Sequence, residues 1–179
     1  MWVEVPTLET KRLIMRPPSR GHFSHYEEFY TDAEASRLYD GPVTVGEAWA
    51  TLAMDIGYWQ LQGFGVWVIE QKSDGRLVGG CGFWQDKGWP RELTWWLMPE
   101  ARGKGYASEA SLAAVSHAYN VFGWDHVETY MDDDNEPARA LALRLGGIEN
   151  RRETFVDGED RTIYRIPRSS YTATTEAPA

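Results

Sequence analysis

The chain has 179 residues and a formal net charge of −9, a length that suits one domain large enough to bury a core without disulfides or metals. It contains no run of about eighteen apolar residues, and its N-terminus lacks the basic-then-apolar order of a secretory signal, so we expect no membrane association and a cytoplasmic location. The single Cys81 cannot form an intramolecular disulfide, and its apolar neighbours indicate a buried structural thiol. We expect one domain over residues 1–168 and a flexible tail over 169–179, a segment rich in Ser, Thr, Ala and Pro.

The apolar pattern predicts one mixed α/β domain without an internal repeat. A strand over residues 11–16 and a helix over 20–31 come first. A second helix over 44–62 begins at a capping box, in which Thr44 and Glu47 satisfy each other's main-chain N–H groups. The elements that follow are strands at 66–71, 76–84 and 92–98, a helix at 103–122, a strand at 126–131, a helix at 136–145, and strands at 148–156 and 161–166.

Residues 102–107, Arg-Gly-Lys-Gly-Tyr-Ala, form a tight turn between an apolar strand and an alanine-rich helix. Such a turn directs several main-chain N–H groups and a helix N-terminus at one point, where phosphates bind. The two glycines and the alanine let a phosphate approach the main chain closely, and the Arg and Lys add positive charge. A basic surface loop that glycine merely terminates is the alternative interpretation, and the motif alone does not separate the two.

Two better-known phosphate loops do not match this turn. A Walker loop requires Gly-Lys followed by Ser or Thr, whereas Gly105 is followed by Tyr106. A dinucleotide fingerprint opens a βαβ unit near the start of a domain and needs a third glycine, whereas Ser108 follows here and the turn lies past mid-chain. Neither class of nucleotide-binding protein is indicated.

Three further segments extend the pattern beyond the turn. Residues 8–17 read LETKRLIMRP, residues 92–97 read ELTWWL, and residues 135–138 read NEPA at the start of a helix that ends with LGG. With the R-x-x-G-x-A turn, they resemble the GNAT superfamily of acyl-CoA N-acyltransferases, and the first segment looks like the branch that contains ribosomal-protein N-terminal (alanine or serine) acetyltransferases. The resemblance implies a GNAT-like fold, with one mixed, mostly antiparallel central sheet of about six to seven strands flanked by about four helices.

The resemblance also implies acetyl-CoA as co-substrate, held in a V-shaped opening between the strands at 92–98 and 126–131. Its pantetheine arm would pair with the main chain of residues 95–97, where an N–H group would stabilise the developing oxyanion, and its pyrophosphate would lie on the amides of residues 103–108. Asn135 is expected to cap the helix that it begins, and in the family its amide also contacts the cofactor arm. The cofactor-binding residues implied in this way are Trp95, Trp96, Leu97, Arg102, Gly103, Lys104, Gly105, Tyr106, Ala107, Ser108 and Asn135.

Acetyl transfer to an amine needs a proton acceptor, because ammonium groups with pKa values of about 10.4 or 7.7–8.0 are mostly protonated near neutral pH. Glu92 matches the base that starts this strand in similar enzymes and would act through one or two waters; a strand-end carboxylate paired with Arg91 is the alternative. Many relatives protonate the leaving thiolate with a Tyr seven residues after the helix-initiating Asn, and that position is Ala142 here. Tyr130, Tyr106 or water would then serve as the acid.

The acceptor is indicated only by charge and aromatic content. The net charge of −9 favours a small cationic amine or a peptide amine, such as a protein N-terminus, over nucleic acid; an aminoglycoside or polyamine acceptor is an alternative. Four tryptophans near the acetyl group would form either aromatic walls or part of the core, and the helical segment at 49–59 occupies the region that covers the acceptor cleft in similar enzymes. The four tryptophans are Trp84, Trp89, Trp95 and Trp96.

Two other classes of function stay open. A catalytically degenerate acyl-CoA sensor would explain why Ala142 stands where many relatives have Tyr, whereas a pure interaction module gives no reason for the turn at 102–107. The four histidines lack a shared ligand spacing, so we expect no metal. A homodimer is compatible with the resemblance, and no residue decides the oligomeric state.

Overall fold

The computed structural model describes residues 3–169 and shows a mixed α/β fold. From residue 170 onward, the tail predicted for 169–179 lies outside the described residues. None of the helices in the described part is long and apolar enough to cross a membrane. The strands are β1 Leu8–Glu9, β2 Leu13–Arg16, β3 Val66–Gln71, β4 Leu77–Trp84, β5 Glu92–Leu97, β6 His126–Tyr130, β7 Ile148–Thr154 and β8 Asp160–Pro167, and the α-helices are α1 Phe23–Thr31, α2 Val45–Gln62, α3 Tyr106–Asn120 and α4 Glu136–Arg144.

These strands form two antiparallel sheets. Five strands pair in the order β1-β2-β3-β4-β5, and three pair in the order β6-β8-β7. With the four helices, this arrangement confirms the predicted mixed, mostly antiparallel class. The expectation was a single sheet of about six to seven strands. The structure has more strands than expected because β1 is too short to give a periodic signal in the sequence. The structure also has two sheets rather than one, because β5 and β6 do not pair. The Thr129 hydroxyl of β6 nevertheless donates to Leu93 O of β5 at 2.9 Å.

Local sequence signals set where the two longest helices begin. At α2, the Thr44 hydroxyl accepts from Glu47 N–H at 3.3 Å and the Glu47 carboxylate accepts from Thr44 N–H at 2.8 Å, which is the predicted capping box. The helix predicted from residue 103 begins at Tyr106 instead. Gly103 and Gly105 have φ values of 74° and 80°, which lie outside the right-handed helical region.

Helix α3 packs a face of small residues on the five-stranded sheet. Ala110, Ala114 and Ala118 on this face are fully buried, which allows close packing of the helix on the strands. Cys81 of β4 lies beneath the helix, where its thiol is 3.6 Å from the Ser111 hydroxyl and burial raises its pKa to about 12. The expected buried structural thiol is confirmed.

The opposite face of this sheet carries α1 over an aromatic cluster. Trp95 of β5 pairs with Cys81 and so shares its face under α3, and because side chains alternate along a strand, Trp96 points away from α3. Its ring centroid lies 5.2 Å from that of Tyr26 and 4.7 Å from that of Phe29, both on α1. This face, with α2 packed beside α1, positions the site described next.

Candidate active site

A cavity of about 340 Å³ lies at the junction of the two sheets. Strand β5 contributes residues 92–96 to its wall, β6 contributes residues 129–130, and α2 contributes Thr51, Met54 and Asp55. The resemblance implied an opening between the same two strands. Within residues 3–169, no group of three or more His, Cys, Asp or Glu side chains is placed to hold a metal ion.

The main chain of β5 presents alternate residues to this junction. Met98 N–H donates to a carbonyl of β4 at 2.9 Å, so Trp96, two residues earlier, also directs its main-chain groups toward β4. Trp95 and Leu97 face the other edge, where their carbonyl oxygens accept hydrogen bonds from side chains outside the sheet. Of the residues expected to pair with pantetheine, Trp95 and Leu97 have main-chain groups on the open edge, whereas Trp96 lines the cavity with its main-chain groups directed toward β4.

Glu92 begins β5 and borders the cavity. Burial raises the pKa of its carboxyl to about 8, and the Tyr130 hydroxyl and the Arg161 guanidinium partly oppose this rise. Arg91, the alternative partner, instead lies over the ring of Trp124, with 3.4 Å between the guanidinium carbon and the ring centroid. Glu92 therefore has the pKa range that a general base near neutral pH requires.

Tyr130 of β6 is the tyrosine beside Glu92. Its hydroxyl donates to Pro90 O at 3.3 Å, and burial and the nearby Glu92 carboxylate raise its pKa. The hydroxyl consequently keeps its proton throughout the pH range in which Glu92 titrates. Arg161 of β8 also lines the cavity and is held between the carboxylates of Asp132 and Asp157, at 2.7 and 2.9 Å.

The start of α4 has the predicted N-cap. The Asn135 side-chain oxygen accepts from Ala138 N–H at 3.2 Å, and its amide nitrogen has no protein partner in the part of the chain that the structure describes. Asn135 also lines the cavity, so its free donors are available to a ligand. Ala142 is fully buried, and its carbonyl accepts from Gly147 N–H at 2.9 Å, so a larger side chain there would displace packed neighbours.

The turn after β5 exposes a row of main-chain donors. Among residues 3–169, no protein acceptor engages the N–H groups of residues 103–108, and the next N–H group, that of Glu109, donates to Gly105 O at 3.1 Å. Gly103 and Gly105 adopt left-handed conformations, and a Cβ on Gly103 would meet no atom within 4 Å. Open donors on a glycine turn at a helix N-terminus fit the phosphates of a coenzyme A derivative.

The basic side chains of this turn have structural partners that the sequence did not reveal. Arg102 donates to Leu97 O at 3.2 Å and to Ala35 O at 2.6 Å, so it ties the segment after α1 to the end of β5. The Lys104 side chain is exposed, and its carbonyl accepts from Arg12 Nη1 at 2.8 Å. Arg12 therefore places a guanidinium against the turn, a contact across 92 residues of sequence.

The first turn of α3 contains the other expected cofactor residues, Tyr106, Ala107 and Ser108. The Tyr106 ring packs under the Arg12 guanidinium, with 4.6 Å between the guanidinium carbon and the ring centroid. Its hydroxyl donates to Gln71 at 2.9 Å and does not reach the cavity. Tyr130 is then the tyrosine, of the two considered as acid, that borders the cavity.

Sequence reasoning missed two cavity residues. Tyr39 donates its hydroxyl to Trp95 O at 2.6 Å. Asp55 lies in the segment at 49–59, on the face of α2 that also buries Leu52 and Trp59, and an Asp at a core-facing position of an amphipathic helix is a signal that could have found it. The four tryptophans all line the cavity, and Trp96 is also part of the core: Trp84, Trp89, Trp95 and Trp96.

A sheet junction with an open strand edge, next to a glycine turn whose main-chain donors are free in the described residues, is the arrangement expected of an acyltransferase that uses acetyl-CoA as co-substrate. Comparison with known proteins agrees, since a family model described as an acetyltransferase (GNAT) domain matches residues 12–148. The chain belongs to this GNAT acetyltransferase family.

Individual relatives support the assignment. The chain is similar to the protein named Uncharacterized N-acetyltransferase YoaA of Bacillus subtilis strain 168, with 26% identity over 145 residues that cover 79% of this chain and 82% of that protein. It is also similar to the acetyltransferase from Agrobacterium tumefaciens strain C58, with a TM-score of 0.83, 28% identity, and 92% and 96% of the two chains covered.

A third likeness concerns the fold alone. RimL, a ribosomal L7/L12 α-N-protein acetyltransferase in complex with coenzyme A, has a TM-score of 0.73 and 14% identity, with 92% of this chain and 99% of that chain covered. The expected likeness to ribosomal-protein acetyltransferases is confirmed at the level of the fold.

Proposed function

We propose that this protein transfers the acetyl group of acetyl-CoA directly to a primary amine, either a small cationic amine or a protein N-terminus, with Glu92 as the general base. The observation that supports the role most directly is the Glu92 carboxyl on the cavity wall, whose pKa burial raises to about 8. A carboxyl with this pKa can accept a proton from an ammonium group near neutral pH and release it to solvent afterwards.

Acetyl-CoA supplies the activated thioester. The N–H groups of residues 103–108 would bind its pyrophosphate, the outward-facing main chain of Trp95 and Leu97 would pair with its pantetheine arm, and the free amide donors of Asn135 would contact the same arm. A main-chain N–H group of β5 would stabilise the negative charge that develops on the thioester oxygen.

The protons move at two atoms in this proposal. Glu92 removes one from the ammonium, directly or through water, so that the nitrogen lone pair attacks the thioester carbon. As the C–S bond breaks, the nitrogen loses its second proton to water, and the coenzyme A thiolate takes a proton from the Tyr130 hydroxyl, which solvent reprotonates, or from water. A thiol pKa of about 8.5 makes the thiolate a tolerable leaving group, so Ala142 does not preclude transfer.

The acceptor would be a cation, because charge at the cavity is predominantly negative. Five carboxyl groups line the cavity, whereas among the described residues Arg161 is its one basic lining residue. Asp132 and Asp157 already neutralise the Arg161 guanidinium. Such a field raises the local concentration of cationic substrates. The cavity carboxyl groups belong to Asp40, Asp55, Glu92, Asp132 and Asp157.

A transfer assay tests this function. The purified protein is incubated with acetyl-CoA and a panel of alkylamines, diamines, aminoglycosides and peptides with N-terminal Ala or Ser, and free thiol and acetylated product mass are measured. We expect amide product with at least one cationic amine. Tight acetyl-CoA binding without transfer to any acceptor would instead support the sensor function that Ala142 kept open.

A further inference from the structure

Asp55 is a buried carboxyl group on the α2 wall of the cavity. Its exposed fraction is only 5%, yet it borders the cavity. It lies between Leu52 and Trp59 on the buried face of the helix, where an apolar residue would stabilise the fold at lower cost. A carboxyl group at such a position calls for a functional explanation.

In the described residues, one of the two Asp55 carboxyl oxygens lacks a hydrogen-bond partner. One oxygen accepts from the Tyr26 hydroxyl at 2.7 Å, and in the described residues 3–169 the other oxygen has no hydrogen-bond donor and no Lys, Arg or His forms an ion pair with Asp55. Burial raises the pKa of Asp55 to about 7, and the bond from Tyr26 only partly opposes the rise. A cation placed against the free oxygen would remove this penalty.

Aromatic side chains lie near the carboxyl group on the α1 side, where burial and, after it, the Asp55 carboxylate raise the pKa of both Tyr26 and Tyr30. Tyr30 and Trp96 both line the cavity, with 5.8 Å between their ring centroids. Trp96 also packs 5.2 Å from Tyr26, the partner of Asp55. A carboxylate beside aromatic faces is the combination that binds ammonium groups, through an ion pair and cation–π contacts.

This cluster is separate from the Glu92 end of the same cavity. Glu92 has Tyr130 and Arg161 as neighbours, on β6 and β8, whereas Asp55 accepts a hydrogen bond from Tyr26 of α1. Trp96 follows Glu92 by four positions along β5, so their Cα atoms are about 13 Å apart at roughly 3.3 Å per residue. Because Asp55 and Glu92 line the same cavity, one elongated molecule within it could lie along both.

We propose that Asp55, with Tyr30 and Trp96, binds a second cationic group of the acceptor, so that the acceptor is a linear diamine whose other amine is acetylated beside Glu92. The proposal rests on the amine acetylation proposed above and specifies its substrate class. The short, compact ammonium group fits an oxygen that opens from a buried wall better than a planar guanidinium does.

Binding and turnover of matched amines test this subsite. Linear diamines of increasing length are compared with the n-alkylamines of the same length, by calorimetry with coenzyme A present and by kcat/KM with acetyl-CoA. We expect the best diamine to bind about tenfold or more tightly than its matched alkylamine, as buried charge pairs allow. Asp55→Asn should abolish this preference, so that the diamine binds no more tightly than its matched alkylamine.

Two further variants control for charge and for folding. Glu28→Gln removes one negative charge from an exposed position on α1 and should keep the diamine preference. Tyr26→Phe keeps the carboxyl group while removing its hydrogen bond, and it should also keep the preference, whereas a merely structural role of the pair would give Asp55→Asn and Tyr26→Phe the same effect. Thermal melts of each variant confirm that it is folded.

The outcomes separate the subsite from the proposed function. A diamine preference that survives Asp55→Asn, or its absence in the wild type, overturns the subsite, while acetylation of alkylamines would still stand. Asp55-dependent diamine binding without transfer to any amine overturns the proposed function and leaves the diamine site. If binding of a lysine-containing peptide depends on Asp55 while diamines bind no better than alkylamines, the diamine assignment is overturned.

Discussion

Glu92 is the residue whose replacement tests the chemistry most directly. Glu92→Gln keeps the shape and removes the proton acceptor, so we expect turnover to fall about 100-fold at neutral pH. Because only the ionised carboxylate accepts a proton and burial raises its pKa to about 8, wild-type kcat/KM should rise with pH and level off above about 8. Glu92→Gln should lack this rise in kcat/KM. The difference in turnover between the variant and the wild type should shrink at alkaline pH as free amine accumulates.

The pH–rate profile is measured for both proteins with one amine, and Glu28→Gln on exposed α1 serves as the charge-matched control. A Glu92→Gln profile that superimposes on the wild type at every pH would make Glu92 a structural residue.

Tyr130 can be tested against a tyrosine in the same sheet. Tyr130→Phe removes the hydroxyl beside Glu92, and we expect kcat to fall roughly tenfold, because the proton for the thiolate must then come from water. Tyr164→Phe is the control, since Tyr164 pairs with β6 through Thr129 and lies outside the cavity. Equal kcat values for Tyr130→Phe and the wild type would leave water as the acid. Single-turnover kinetics with saturating acetyl-CoA isolates this step.

At the scale of elements, the glycine turn before α3 can be altered without changing its charge. Gly105→Val forces a β-branched residue into φ 80° and brings a Cβ within 3.3 Å of Arg12 Nη2. We expect the KM for acetyl-CoA to rise at least about tenfold, because the side chain obstructs the phosphates and the strained turn misplaces its amides.

Gly75→Val is the matched control for backbone strain. Gly75 has φ 72°, and a Cβ there meets no atom within 4 Å, so this variant carries a similar conformational cost in a turn that does not line the cavity. Acetyl-CoA affinity, measured by calorimetry, should be near wild type for Gly75→Val. If both variants bind acetyl-CoA equally well, the phosphate assignment of the turn is wrong.

Elements governed by neighbouring residues were predictable from the sequence. The start of α2 follows from Thr44 and Glu47, three residues apart, and the N-cap of α4 follows from Asn135. Contacts between distant segments were not predictable. Arg102 donates to Ala35 across 67 residues, and Tyr26 donates to Asp55 across 29, and neither separation leaves a periodic signal.

The opening between β5 and β6 was expected only from the resemblance. Each segment reads as an ordinary strand, and whether two neighbouring strands pair depends on the whole sheet rather than on the sequence of either strand. Which main-chain groups of β5 face the opening could be determined only from the register of β5 with β4.

At the scale of the whole molecule, Asp55 links stability to pH. Its pKa is raised from 3.8 to about 7 in the folded protein, so between these values the folded state binds more protons than the unfolded state. The free energy of unfolding should therefore fall as pH rises from about 4 to about 7, by at most about 1.4 kcal/mol for each pH unit.

Asp55→Asn removes this dependence and keeps an oxygen that can accept from Tyr26. We expect the variant to be more stable than wild type at pH 8, by at most roughly 4 kcal/mol, and the advantage to disappear near pH 4. Urea unfolding at both pH values measures the difference, with Glu28→Gln as control. Equal stability of Asp55→Asn and wild type at pH 8 would contradict the buried, unpaired state of the carboxyl group. A gain in stability with a loss of binding is typical of a residue retained for function.

The alternation of the β5 main chain has a consequence for hydrogen exchange. In the free protein, the amides of Trp95 and Leu97 face the open edge, whereas Trp96 is in the ladder with β4, so the two outer amides should exchange with deuterium faster than the one between them. Acetyl-CoA should slow the outer two and leave Trp96 nearly unchanged. Residue-resolved NMR would then record binding as protection of every second amide, the signature of a ligand that completes a strand ladder; equal protection of all three would mean that the ligand does not pair with this edge.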